Sequence, residues 1–407
     1  MGIQGFTHFF KKCIKEKKIE DYKNSQLAID ANYQLYRYGI AIRQNGTDLC
    51  NLDGRPLNHI HAIISYTNFL LRSGIKPIYI FDGKSPDLKK NTINDRFTCK
   101  KKAIDSLGNI IDKKSKEFIK NFSKSYAFSK KEIKDCIELL DLLNIPYIQS
   151  IGEADIYCAA LDMFNQNING IITNDTDLLV FGAKKIMRKF SKKNVIEEIN
   201  LDDIYDHMKF LANEIKINNN MYLISRVTHE NFIDFSILLG TDYTPHIKGF
   251  NSSELYELFV LNEFNLEKTV NKLNEIINTS VKKNDYDVPA NFLNMAKSAK
   301  DYYLQTKNIL LNDLDKQNFY SKPNRDKLII YLRDKLNMDK KIVANIMNLI
   351  DRSDTDQIFQ LFQRKRFNNY NLCKYTSYSR YKYKYNYTNN LNNKHHNNYN
   401  NSVVAKI

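Results

Sequence analysis

The sequence predicts an α/β fold, a mostly parallel central sheet flanked by helices, with a helical C-terminal region. Three observations predict it. Three short apolar runs each end in an acid: "QLAIDAN" at Asp30, "IKPIYIFDGK" at Asp82 and "GIITNDTD" at Asp175. Segments with helical spacing lie between the runs, and strands alternating with helices imply a parallel sheet covered on both faces. Ligands of such sheets bind beyond the carboxyl ends of the strands, so three acids fall on one rim.

The elements follow in order. "HAIISYTNFLLRSG" after the first run has helical spacing and a Gly near its end. Between the second and third runs lie the helical "KKEIKDCIELLDLL", the short run "IPYIQ" and the helix "EADIYCAALDMF". From Phe97 to Tyr126 the chain turns Lys-rich and weakly amphipathic around Gly108, which reads as an inserted helical segment. Composition alone favours a solvated helix pair. "INLDDIYDHMKFL" opens a run of helices that includes "NFIDFSILLGTDYTPHIKGF" and "RDKLIIYLRDKLNMDKKIVANIMNLI". From about Arg364 the sequence is low-complexity Asn, Tyr and Lys, cannot bury a core, and is expected to be disordered.

Among 407 residues, 61 Lys+Arg stand against 46 Asp+Glu, a net charge of +15 that suggests a polyanionic partner, nucleic acid first. The six cysteines show neither a CxxC pair nor metal-ligand spacing and read as free thiols. No apolar run approaches the roughly 18 residues a membrane helix needs, so no membrane partner is expected. The opening Met1-Gly2 lacks the Ser or Thr of a myristoylation signal, having Phe6 there.

Glu153, Asp155, Asp177 and Asp242 join the three rim acids. Each has an ordinary reading: Ser150 and Glu153 form a capping-box pattern, Asp175 suits a helix cap, and Asp82 suits a turn. Together they would repel one another unless neutralised. Two hard divalent cations with oxygen ligands, Mg²⁺ or Mn²⁺, resolve that repulsion. On a basic chain this points to phosphodiester hydrolysis by two metals.

The motifs "MGIQGF", "AIDAN", "AIRQNG", "GIKPIYIFDGKSPDLK", "LLNIPYIQSIGEADIYCAAL", "TNDTDLLVFG" and "LLGTDYTPHIKG" occur in an order that resembles the flap endonuclease/XPG family of structure-specific 5′ nucleases, over nearly all of 1–350. The resemblance implies a magnesium-dependent 5′ endonuclease acting on flaps, gaps and nicks in replication, repair or recombination. Its metal ligands fall at Asp30, Asp82, Glu153, Asp155, Asp175, Asp177 and Asp242, with Asp155 replacing the usual Glu. Lys89 and Arg96 match the basic pair that reaches the scissile phosphate, and their spacing of seven suits one helix face. Tyr36 matches the aromatic on which a base stacks, Gly2 the small residue beside the site, and Arg43 a DNA contact. A DNA-contacting Arg of the family falls at Tyr66. The helix-two-turn-helix keeps Gly249 and has Asn251 at its second glycine, a residue that tolerates positive φ better than most.

The implied organisation is a nuclease region at 1–96, a helical arch at 97–128, an internal nuclease region at 129–245, a DNA-binding helical region at 246–350 and a basic, Asn/Tyr-rich tail at 351–407. The implied partner is branched DNA with a single-stranded 5′ end, bound by a monomer in the nucleus. "TDQIFQLF" keeps only part of a sliding-clamp motif, and "QRKRF" is a weak nuclear-localisation signal. A 5′→3′ exoribonuclease and a non-catalytic branched-DNA binder are the competing readings.

Overall fold

The computed structural model describes residues 2–189, 195–219, 221–279, 286–309 and 323–351. The tail, the clamp-like segment and "QRKRF" lie outside the described residues. Seven strands among the described residues build one sheet: β1 (Ile14–Lys18), β2 (Gln26–Asp30), β3 (Lys76–Phe81), β4 (Tyr147–Gln149), β5 (Ile168–Ile172), β6 (Lys185–Arg188) and β7 (Val195–Asn200). Their spatial order is β1-β7-β6-β5-β2-β3-β4. Strands β6, β5, β2, β3 and β4 pair in parallel, while β7 and β1 add an antiparallel edge. The fold class is the one expected. The antiparallel edge was not foreseen, because "VIEEIN" and "IKEKK" are short and flanked by charge rather than by turn residues.

The topology positions the site. From β2 the chain steps to β3 and then β4, returns to pair β5 with the opposite side of β2, and continues to β6. Strand order therefore reverses between β2 and β5, and crevices of α/β sheets open at such switch points. Asp30 ends β2, and Asp175 stands three residues beyond β5. The two acids flank the crevice.

Helices cover both faces. In chain order they are α1 (Phe6–Phe9), α2 (Ala31–Arg43), α3 (Asn58–Arg72), α4 (Lys90–Leu107), α5 (Lys116–Lys124), α6 (Lys130–Leu142), α7 (Ala154–Phe164) and α8 (Asp177–Val180). Then come α9 (Leu201–Asn218), α10 (His229–Leu239), α11 (Ser252–Leu261), α12 (Leu266–Thr279), α13 (Phe292–Tyr303), α14 (Arg325–Ile330) and α15 (Lys340–Asp351). Successive strand residues point to opposite faces. Thus Ala28, Ile78 and Ile80 pack into one core with α7 to α13, and Leu27, Ile29 and Tyr79 into another with α3, α6, α14 and α15. Side chains on both faces are fully buried, which explains why these strands read as continuous apolar runs.

The Lys-rich insert folds as α4 and α5, with Gly108 just past the end of α4. Helix α4 starts at Lys90, before the expected boundary at 97. The residues just past α5 are seated on α2 through Tyr126. A Cβ on Gly39 would lie 2.0 Å from that ring, so only glycine lets the two approach. Cys13, Cys99, Cys136 and Cys158 are free thiols, as expected, but Cys50 is disulfide-bonded. Scattered spacing carries no pairing signal, so that bond could not be read from the sequence.

Candidate metal centre and nucleic-acid interface

The structure gathers all seven acids at the switch point. Asp30, Glu153, Asp175 and Asp177 are buried, and Asp82, Asp155 and Asp242 are half-buried. Each sits where an element ends or starts. Asp30 caps α2, accepting from the Tyr33 amide at 2.9 Å. Asp82 accepts from the Asn32 amide at 2.7 Å and from the Ala154 N–H at 2.8 Å, so it caps α7 from the neighbouring strand. Asp175 accepts from the Asp177 N–H at 3.1 Å, so its expected capping role and a place in the cluster coexist.

The capping-box reading of Ser150 and Glu153 fails. Ser150 donates to the Phe81 carbonyl, and Glu153 itself stands at the N-cap without capping. Glu153 instead accepts from Lys89 Nζ at 2.6 Å, and from the hydroxyls of Tyr243 and Tyr302. Tyr243 and Tyr302 are the site residues that sequence reasoning missed. Tyr243 stands beside Asp242 inside a quoted motif, whereas Tyr302 lies on α13 with nothing in its surroundings to mark it.

Lys89 and Arg96 converge as their spacing implied, but from two elements. Lys89 ends a 3₁₀ turn and stands at the N-cap of α4, and Arg96 lies within α4. Both reach the same oxygen, Asp242 Oδ2, at 3.5 Å from Lys89 and 2.7 Å from Arg96. Lys89 is buried; burial opposes its charge, yet Asp155, Glu153 and Asp242 outweigh burial and hold it protonated.

Two cations do not balance seven carboxylates. Burial and then the charge of Asp82 raise Asp30 to about 8. Burial, followed by Asp175 and Asp242, pushes Asp177 well above the ordinary range. Asp155 is raised in the same direction, by burial first. Among the described residues no three of these acids already converge as a metal cage. Asp30, Asp82, Glu153, Asp175 and Asp242 turn to protein donors instead.

The donor set nonetheless fits a hard divalent cation. It is all oxygen, and Asp177 Oδ1 is buried without a hydrogen-bond partner among the described residues. Gly2 closes the rim at φ 92°, where a Cβ would meet Thr176 Oγ1 at 2.3 Å and Asp175 Oδ1 at 2.6 Å. The adjacent Ile3 N–H donates to Thr176 Oγ1 at 2.9 Å.

The expected DNA contacts divide. Tyr36 is half-buried on α2, its ring 4.4 Å from Phe128 and covered by Lys100 of the arch. Arg43 is a correction: it is 1 % exposed, paired with Asp48 at 2.7 Å and 3.1 Å, and set against the Phe122 ring at 4.4 Å. Its guanidinium ties α2 to the end of α5 through the Phe122 carbonyl and the Ser125 hydroxyl and presents no face to DNA. Tyr66 is buried in the core of α3. Gly249 adopts φ 90°, as a tight turn requires, but Asn251 does not take positive φ. With φ −81° it caps α11, accepting from the Ser253 and Glu254 amides, so a helix cap replaces the second glycine's freedom.

Comparison with known proteins follows this geometry. Residues 1–103 match the XPG N-terminal domain, and residues 144–242 match the XPG I-region. Flap endonuclease 1 of Danio rerio is 30 % identical over 341 residues, covering 82 % of this chain and 82 % of that protein. The chain belongs to the flap endonuclease/XPG family. Family members vary in length: the chain spans 63 % of flap endonuclease 1 from Glycine max, at 34 % identity over 61 % of its own residues, and 57 % of the Plasmodium knowlesi protein. Among solved structures, the catalytic core of Rad2 in complex with DNA substrate superposes with a TM-score of 0.59 at 23 % identity, covering 86 % of this chain and all of that one. Flap endonuclease-1 from Methanococcus jannaschii gives 0.52 at 23 % identity, over 84 % and 96 % of the two chains. Both establish the family's fold here.

Proposed function

We propose that this chain is a structure-specific 5′ nuclease that hydrolyses phosphodiesters in branched DNA carrying a single-stranded 5′ end, using two Mg²⁺ ions for which Mn²⁺ can substitute. The observation that carries the reading is the convergence of Lys89 and Arg96 on a rim of seven buried and half-buried acids at the sheet's switch point. Divalent cations held by Asp30, Asp82, Glu153, Asp155, Asp175, Asp177 and Asp242 would supply the activated water and charge neutralisation that such hydrolysis needs.

The protein's own part is positional and electrostatic. Lys89 and Arg96 give up Asp242 and Glu153 for the phosphate oxygens, where their charge acts most as negative charge develops. Tyr243 and Tyr302 keep Glu153 oriented when Lys89 leaves. Tyr36 offers its ring to the base beside the cut, and Gly249 allows a backbone turn to approach the duplex. A DNA substrate is the reason to place the protein in the nucleus.

Cleavage of matched DNA and RNA flaps in Mg²⁺, beside an unbranched duplex, tests this function. Cutting of the DNA flap near its branch supports it. Equal or preferred RNA cleavage, or tight flap binding without turnover, would replace it with one of the two competing readings.

A further inference from the structure

The motif "AIDAN" ends in Asn32, a neutral residue that touches the acid rim without belonging to it. Asn32 stands in the first turn of α2, two residues after the acid that ends β2. Its Nδ2 donates to Asp82 Oδ2 at 2.7 Å, and the other oxygen of that carboxylate accepts from the Ala154 N–H at 2.8 Å. The bond to Asp82 fixes which way the amide lies, because only its nitrogen can donate to a carboxylate. The opposite end, Asn32 Oδ1, is buried and meets no hydrogen-bond donor among the described residues.

An amide carbonyl shut away from water without a donor costs about 1–3 kcal/mol, and such an orphan calls for an occupant. Asp177 Oδ1 is in the same condition at the start of α8, which follows β5 on the other flank of the crevice. Both orphans are acceptors. A hard divalent cation suits them, since it takes amide as well as carboxylate oxygens and, as Mg²⁺, keeps several waters that can donate. An amide also supplies its oxygen without adding to the surplus of negative charge. Each Asp82 oxygen has one protein donor and keeps a lone pair for a cation.

We propose that Asn32 is an eighth member of the cation site: it holds Asp82 through its nitrogen and offers its carbonyl oxygen to the hydration shell of the cation that Asp82 binds. This rests on the two-metal reading and adds to it a residue that carries no charge. Partners that orient a metal's ligands and waters typically contribute 10–100-fold in metal affinity, roughly the effect to look for here.

The test is Mn²⁺ binding to the full, DNA-free chain, followed by electron paramagnetic resonance, with urea unfolding in EDTA alongside. Asn32→Leu keeps the side chain's bulk and removes both polar atoms. It should weaken one of two Mn²⁺ ions by about 10–100-fold and leave the other unchanged. Asn32→Ala should do the same, and replaces the leucine variant if that one does not unfold cooperatively. Asn32→Asp keeps an oxygen in place and should hold both ions at least as tightly as wild type. If Asn32 only steadied Asp82, the aspartate variant, which cannot donate to a carboxylate, would lose Mn²⁺ as the leucine variant does. That outcome overturns the acceptor role. Lower stability in EDTA with both Mn²⁺ affinities intact makes Asn32 merely structural and overturns the proposal alone. A wild-type chain that binds no Mn²⁺ overturns the two-metal reading and this proposal with it.

Discussion

Behind the α4–α5 insert, the buried acids Asp48 and Asp135 each meet an arginine. Asp48 holds Arg43 through two hydrogen bonds, and Asp135 is flanked by Arg55 and by His59 at 3.3 Å. Burial opposes the Asp135 charge, but His59 and Arg55 outweigh it and keep the carboxyl below its ordinary range. At the strand rim the same residue type behaves in the opposite way: Asp30 and Asp177 are raised. Burial is comparable in the two regions, so burial alone does not decide the outcome. Balanced charge makes a structural joint, whereas the surplus negative charge of the rim is what the proposed cation site rests on.

Breaking the rim should have the largest effect. Asp177→Ala should abolish flap cleavage in Mg²⁺ while flap affinity in EDTA changes little, because a ligand oxygen is lost and no DNA contact. Near-normal turnover by the purified variant would remove Asp177 from the metal assignment.

Breaking the joint should damage stability instead. Arg43→Ala leaves Asp48 buried without its partner, a loss of about 3–5 kcal/mol by urea unfolding. Wild-type stability with weakened DNA affinity would return Arg43 to the surface contact that the sequence suggested.

Lys89 and Arg96 belong to the rim but act as counter-charges. Lys89→Ala and Arg96→Ala should each lower single-turnover cleavage by about 10²–10³ while flap affinity changes much less. Rates close to wild type at saturating DNA would leave both as ordinary charges of a Lys-rich helix.

A smaller effect separates the two regions by pH. Asp30 is raised from 3.8 to about 8, so the folded, metal-free chain binds more protons than the unfolded one across that window. The rim therefore destabilises the chain progressively as pH rises through it. Asp135 is depressed, so its contribution is present above 3.8 and is lost only on further acidification. Melting in EDTA should give a lower Tm at pH 8 than at pH 5.5, and Mg²⁺ should restore more at pH 8. A Tm that does not respond to pH or to Mg²⁺ contradicts this contrast.

Much of this was legible in the sequence, for reasons visible in particular residues. Strands β2, β3 and β5 are buried on both faces, so their apolar runs stood out, and each delivered its acid to the rim. The spacing of Lys89 and Arg96 survived a change of element because the 3₁₀ turn leads directly into α4. Arg43 was misplaced because burial against Phe122, Tyr126 and Asp48 depends on where the arch folds back, which local spacing does not encode. Asn251 was misread for the converse reason: the residue suits a left-handed turn and a helix cap alike, and the Glu254 side chain accepting from its N–H at 2.8 Å decides for the cap.

If the seven acids form one cation-receiving rim, as proposed, the DNA-free chain binds divalent cations there. Mn²⁺ titration of the DNA-free chain, followed by electron paramagnetic resonance, tests it most directly. Two bound Mn²⁺ per chain, reduced in number or affinity by Asp177→Asn and unchanged by Asp135→Asn, is the predicted result. Binding that is absent, or indifferent to Asp177, would contradict it.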